Sequence, residues 1–216
     1  EGVELLSSGV GITVGNVGAA TTVNAGHSWL SAGRVIGGDV FSVSFVGDQF
    51  GWMVSARNCL WRTTDGGASW QNSILPDELQ AVKVYFVTPL RGFIATPSQQ
   101  FFSTQNGGDT WQEVDMPTEY PMLDIFFINE LRGWAVGYAG TIIGTHDGGA
   151  TWQTELTEQT AVLTAVHAVD SIHAWAVGAS GVLATTKDGG QHWGISTPYA
   201  LGVMHDVYFS DSLRGT

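Results

Sequence analysis

The chain has 216 residues with 20 acidic and 8 basic side chains, a formal net charge of −12. Apolar residues make up 44% and aromatic residues 11%, enough for a packed core and too much for a disordered chain. Two lysines and six arginines give no basic footprint, which excludes a nucleic-acid partner and argues against docking on anionic lipid.

No apolar run reaches the ~20 residues of a bilayer crossing, so direct membrane insertion is not expected. The chain opens at Glu1 without a charged start or an apolar stretch, so any export signal is expected to be absent from it. The one cysteine, Cys59, excludes an intrachain disulfide and a cysteine zinc cluster, and reads as a buried strand residue. The 29 glycines have no three-residue period, which fits many tight turns and a β fold.

Taken along the chain, residues 3–8 read as a worn first strand, and the same segment returns at 203–216. Between them runs an internal period of 41 residues. Trp29, Trp70, Trp111, Trp152 and Trp193 keep that step. So do Trp52, Phe93, Trp134 and Trp175; Phe45, Phe86, Phe127, Ala168 and Phe209; and Val43, Val84, Ile125, Val166 and Val207. Repeats fall at about 1–40, 41–81, 82–122, 123–163 and 164–204, with a partial one at 205–216, all within one expected domain over 1–216.

The fourth repeat is the clearest. Residues 123–128, 133–137 and 141–145 are short β-branched or aromatic runs closed by Gly, Asn and Asp clusters, and Thr151 begins a fourth run. Residues 156–163 are the least strand-like. Four short antiparallel strands per ~40 residues is the unit of a β-propeller blade. The expected fold is all-β, a propeller of four-stranded antiparallel blades with about five present. Because both ends carry the same first strand, the chain is expected to be a segment of a six- to eight-bladed ring or of a larger protein. Buried inner strands such as 82–86 should be almost continuously apolar. The small residues Ala135, Gly137, Ala176 and Gly178 should let adjacent blades approach.

A turn motif recurs between the third and fourth strands: residues 63–70, 145–152 and 186–193 place Asp65, Asp147 or Asp188 before two glycines and a Trp. Two copies carry Asn106 or Asn24 instead, and Asn keeps the acceptor oxygen. The acceptor caps backbone N–H groups of its own hairpin, the glycines take positive φ, and Trp70, Trp111, Trp152 and Trp193 plug the blade edge.

These residues resemble the Asp-box, or bacterial neuraminidase repeat. Together with the Leu-Arg-Gly-Trp-Ala-Val-Gly element at 131–137 and its relative at 90–93, the unit resembles the photosystem II stability/assembly factor-like propeller family, from about residue 10 onward. The resemblance implies a non-catalytic scaffold, exported to the periplasm, thylakoid lumen or cell surface. It implies a protein partner, a subunit of a membrane complex or cell-surface assembly. It also implies a partner patch from arginines at repeat-equivalent positions, which are here Arg91, Arg132 and Arg214, with His173 breaking the row. The bland reading pairs each with a carboxylate of its own turn, such as Asp48, Glu130, Asp170 or Asp211. The alternatives are a carbohydrate- or polymer-binding module of a larger surface protein and a sialidase-like hydrolase. The hydrolase needs a convergent arginine triad and a Tyr–Glu pair, and neither stands out among Arg34, Arg57, Arg62 and the column arginines. No cofactor, metal or catalytic residue is expected. The Asp-box carboxylates read as hairpin caps and the six histidines lack metal spacing. Asp77 and Glu78 read as solvated loop charges.

Overall fold

A computed structural model describes residues 2–15, 18–31, 39–76, 79–156, 161–198, 202–212 and 214–215. Arg34, Asp77, Glu78 and residues 157–160 of the weak stretch at 156–163 lie outside them. Contacts divide the chain into two compact units, one of residues 1–97 and 102–113, the other of residues 98–101 and 114–216.

The first unit holds three four-stranded antiparallel sheets. Strands β1 (Gly2–Leu5), β2 (Gly11–Gly15), β3 (Gly18–Thr22) and β4 (Leu30–Ser31) form the first sheet in sequence order. The second has β5 (Val40–Val46), β6 (Phe50–Ser55), β7 (Cys59–Thr63) and β8 (Gln71–Ile74), and the third β9 (Lys83–Phe86), β10 (Gly92–Ala95), β11 (Phe101–Thr104) and β12 (Gln112–Glu113). The second unit holds β13 (Met122–Phe127), β14 (Gly133–Gly137), β15 (Ile142–Thr145) and β16 (Gln153–Leu156), then β17 (Leu163–Ala168), β18 (Ala174–Gly178), β19 (Leu183–Thr186) and β20 (Gly194–Ser196). A hairpin of β21 (Phe209–Asp211) and β22 (Arg214–Gly215) follows.

Burial follows position within the sheet. The second strands β10, β14 and β18 are buried at every residue, whereas the fourth strands β8, β12 and β20 are exposed at every residue. The core therefore lies between the inner strands of neighbouring sheets, with Trp52 and Val54 on Phe86 and Ile94 in the first unit. In the second unit, Trp134 and Ile142 pack with Val166 and Ala176.

Register repeats with the sequence. Gly51, Gly92 and Gly133 sit at or beside the start of their second strands opposite Phe45, Phe86 and Phe127, and a Cβ at any of the three would meet that ring at about 2.6 Å. The aromatic lies across its cross-strand glycine. In the fifth repeat both partners change together, and Ala168 faces Ala174. Gly137 and Gly178 are small for a different reason from the expected approach of a neighbouring blade. A Cβ there would strike the carbonyls of Pro121 and Val162, at the entry to the glycine's own sheet.

Candidate partner-binding site

The Asp-box turns are five copies of one hydrogen-bond cage. In the fourth repeat the Thr145 hydroxyl donates to Asp147 Oδ1 at 2.8 Å and accepts the Gly149 N–H at 2.9 Å. Asp147 Oδ1 also accepts the Thr151 N–H at 2.9 Å, and Oδ2 accepts the Thr151 hydroxyl at 2.6 Å. Asp65 with Thr63 and Ser69, and Asp188 with Thr186 and His192, repeat the cage. In the Asn copies the last bond reverses direction. Asn106 Nδ2 donates to the Thr110 hydroxyl at 2.9 Å, as Asn24 Nδ2 does to Ser28. The glycine pairs 66–67, 107–108, 148–149 and 189–190 all take positive φ. The threonine two residues before the acceptor is the part sequence reasoning left without a role. Its 41-residue recurrence at Thr22, Thr63, Thr104, Thr145 and Thr186 is the signal that marks it.

These bonds hold the carboxyls low. The Ser69 hydroxyl and N–H keep Asp65 at about 2, the Thr151 hydroxyl and N–H keep Asp147 at about 2, and the His192 N–H and ring keep Asp188 at about 2. All three are ionised acceptors already occupied by their own turns. Trp70, Trp111 and Trp152 set their rings edge-on to Phe45, Phe86 and Phe127, with centroids 6.0, 6.1 and 5.8 Å apart.

The arginine column is not uniform. Arg132 is 5% exposed. Its guanidinium bonds Glu155 Oε1 at 2.7 Å, the Thr145 carbonyl at 3.0 Å and the Gly189 carbonyl at 2.6 Å, and lies 4.0 Å above the Trp134 ring. That burial removes Arg132 from a partner patch, and its carboxylate is Glu155 rather than the turn residue Glu130. The reason lies next door. Trp52 stacks on Phe86 of the following sheet at 3.7 Å, and Trp175 stacks on Phe209 at 3.8 Å. Trp134 would meet Ala168, so the guanidinium takes the place of the missing ring. Glu155 then accepts the indole N–H groups of Trp134 and Trp193 through Oε2, at 3.0 and 3.1 Å.

Elsewhere in the row, His173 holds Asp170 at 2.8 Å, as the bland reading expects. Arg214 is exposed and Arg91 half-buried. Asp48 accepts the Ser7 N–H at 2.9 Å. Arg62, outside the column, donates to the Gly107 carbonyl at 3.0 Å and to Asp109 at 2.8 Å. Gly107 and Gly189 are repeat-equivalent, so an arginine on β7 and one in the turn before β14 answer the same carbonyl. Cys59 is half-buried rather than buried. Among the described residues no three His, Cys, Asp or Glu side chains are grouped to hold a metal ion, and no helix is long and apolar enough to cross a membrane.

Residues 109–197 match the model of the family described as photosynthesis system II assembly factor YCF48. That match covers less than half of the chain. No curated protein matches the chain in sequence. The solved structure "YCF48 bound to D1 peptide" is similar over 99% of this chain and 86% of its own, at 19% identity and a TM-score of 0.56. YCF48 from Cyanidioschyzon merolae is similar over 99% of this chain and 90% of its own, at 18% identity and a TM-score of 0.60. A GH74 enzyme from Niastella koreensis is similar over 91% of this chain but only 36% of its own, at 13% identity and a TM-score of 0.72. At these identities the likeness carries the fold alone. The fold is all-β, built of four-stranded propeller blades, and the resemblance to the photosystem II stability/assembly factor-like propellers, read from the Asp-boxes and the 131–137 element, stands.

Proposed function

We propose that this chain is a non-catalytic scaffold that binds an extramembrane segment of a membrane-complex or cell-surface subunit during assembly or stabilisation, on the extracytoplasmic side. The YCF48 family match over 109–197 is the observation that carries this reading. The name of one structural neighbour, YCF48 with a bound D1 peptide, agrees with it. The Asp-box chemistry supports a binding role over hydrolysis. A general acid must hold a proton near working pH, whereas Asp65, Asp147 and Asp188 are depressed to about 2 and spent inside their turns. Of the column arginines, Arg91 and the exposed Arg214 are proposed to touch the partner, and Arg132 acts inside its blade.

An array of peptides covering the extracytoplasmic loops and termini of the source organism's membrane proteins, probed with the full chain, tests this. Selective capture of segments from one subunit is expected, weakened by Arg91→Glu or Arg214→Glu. Uniform failure to capture any segment, or turnover of a sialoside or β-glucan above blank, overturns it.

A further inference from the structure

Within the first unit, a groove of about 620 Å³ opens between the second and third sheets, at the end away from the Asp-box turns. Its walls come from two places that repeat along the chain. One is the start of the first strand, where the pairing of β5 with β6 shifts between Val40 and Ser42 and leaves Phe41 as the extra residue. The same shift recurs around residues 123 and 164, so the bulge belongs to the blade. A bulge re-aims the side chain it carries, and Phe41 is 39% exposed in the groove wall. Val82, its repeat equivalent just before β9, lines the groove with Ala81 and Pro97.

The other place is the hairpin between the second and third strands. Arg57 and Asn58 both hold positive φ, 65° and 58°. Two other copies of this turn place Ala139-Gly140 and Ser180-Gly181 in the same left-handed conformation. The left-handed conformation is disfavoured for any residue with a Cβ, so Arg57, Ala139 and Ser180 bear it alike and it belongs to the turn. The arginine position reads Arg57, Ser98, Ala139, Ser180 along the chain, so the charge is confined to the one repeat that lines the groove. Asn58 Nδ2 fixes the turn by donating to the Leu75 and Pro76 carbonyls at 3.0 and 2.7 Å. The Arg57 side chain is exposed and makes no ion pair among the described residues. What breaks the repeat is the charge, and with no ion-pair partner among the described residues it is available to a ligand.

From this geometry we infer that the groove binds an extended peptide in which a bulky apolar side chain lies next to a carboxylate. The apolar side chain packs on Phe41, Val82 and Pro97, and the Arg57 guanidinium forks onto the carboxylate. Charge complementarity selects the acidic partner, since Arg57 is the one charged side chain among the described residues that line the groove. The inference rests on the peptide-binding reading above and adds a site distinct from the arginine column.

The test is a titration of the ¹⁵N-labelled full chain with the capped peptide acetyl-Gly-Gly-Phe-Glu-Gly-Gly-amide, alongside its Phe→Ala and Glu→Gln forms, followed by amide shifts. Saturable shifts at Ala56, Asn58 and Val82 are expected, with Kd raised roughly tenfold or more when either side chain is removed. Arg57→Glu should abolish the shifts. Arg57→Gly should do the same while suiting the left-handed turn, so a loss of binding in that folded variant cannot be ascribed to unfolding. Shifts that saturate elsewhere, or that survive both Arg57 variants, overturn the groove and leave the peptide-binding reading standing. If this peptide shifts nothing while a segment taken from the array does, and that segment maps outside the groove, the groove again fails alone. If no peptide, designed or natural, shifts any amide, both fail together.

Discussion

Thr145 and Asp147 divide the work of one turn between them. The hydroxyl ties the start of the loop to the second glycine, and the carboxylate ties it to Thr151. Losing the acceptor leaves the Thr145 hydroxyl and the Thr151 N–H without their partner. Asp147→Ala should therefore lower stability by about 1–2 kcal/mol in urea unfolding, without changing partner affinity. The pH dependence follows from the same bonds. Asp65, Asp147 and Asp188 ionise more readily folded than unfolded, from an ordinary 3.8 down to about 2. The stability they add is complete above the ordinary value and is lost as pH falls toward about 2. Replacing all three with Asn, as the chain itself does at Asn106, should flatten the melting temperature between about pH 4 and pH 2; an unchanged acid slope would contradict the assignment. The acceptor, the glycines and the Trp were legible in the sequence. The threonine was visible as a column, but its role needs the hydroxyl's position beneath the loop, which spacing does not give.

Elements show where a repeat protein departs from its repeat and how it compensates. In the fifth repeat Ala168 has replaced the first-strand aromatic and Ala174 the facing glycine, and the vacated stacking place over Trp134 is taken by Arg132. Glu155 completes the substitution, where the second and fifth repeats carry Ser73 and Ser196. Periodicity singled out Arg132 but could not show which way it turns. Its partner Glu155 is not a column residue at all, so sequence reasoning placed the charge on Glu130 instead. Removing one member of this buried pair strands the other. Arg132→Ala is expected to lose about 3–5 kcal/mol, and Arg132→Ala with Glu155→Ser less than that, in a double-mutant cycle by urea unfolding. A single variant as stable as the parent would place Arg132 on the surface after all.

Neighbouring first strands are joined in a similar way. His167 Nδ1 accepts the Phe209 N–H at 3.3 Å, with Phe126 and Tyr208 rings on either side. Burial pushes this imidazole below its ordinary 6.5, against the opposing pull of Asp206 and Asp124. Because the folded value is the lower one, the stability tied to the neutral ring is complete above about pH 6.5 and declines as pH falls below it. Melts at pH 7.5 and 5.5 should differ, and His167→Gln should narrow the gap. A gap of undiminished size would assign the loss to other groups.

For the whole molecule, the period of 41 residues makes the fold class legible from the sequence alone. The inner strands are short β-branched or aromatic runs between glycine turns, and an unbroken step sets each repeat into the same kind of sheet. Function is less legible for the same reason. Structural columns and binding columns repeat alike, so Arg91, Arg132 and Arg214 look equivalent until burial separates them. A residue that breaks its column is the more telling signal, and Arg57 is such a residue. Binding of a membrane-protein partner, rather than transformation of a substrate, is the role proposed for this acidic propeller-blade chain. Site-specific photo-crosslinking in intact cells, with the crosslinker placed in turn at Arg57, Arg91 and Arg214, puts that role to the test. Crosslinks are expected from at least one of these positions to an extracytoplasmic segment of a single integral membrane subunit, weakening as salt rises. Crosslinks to polysaccharide alone, or to no macromolecule from any of the three positions, would rule the binding role out.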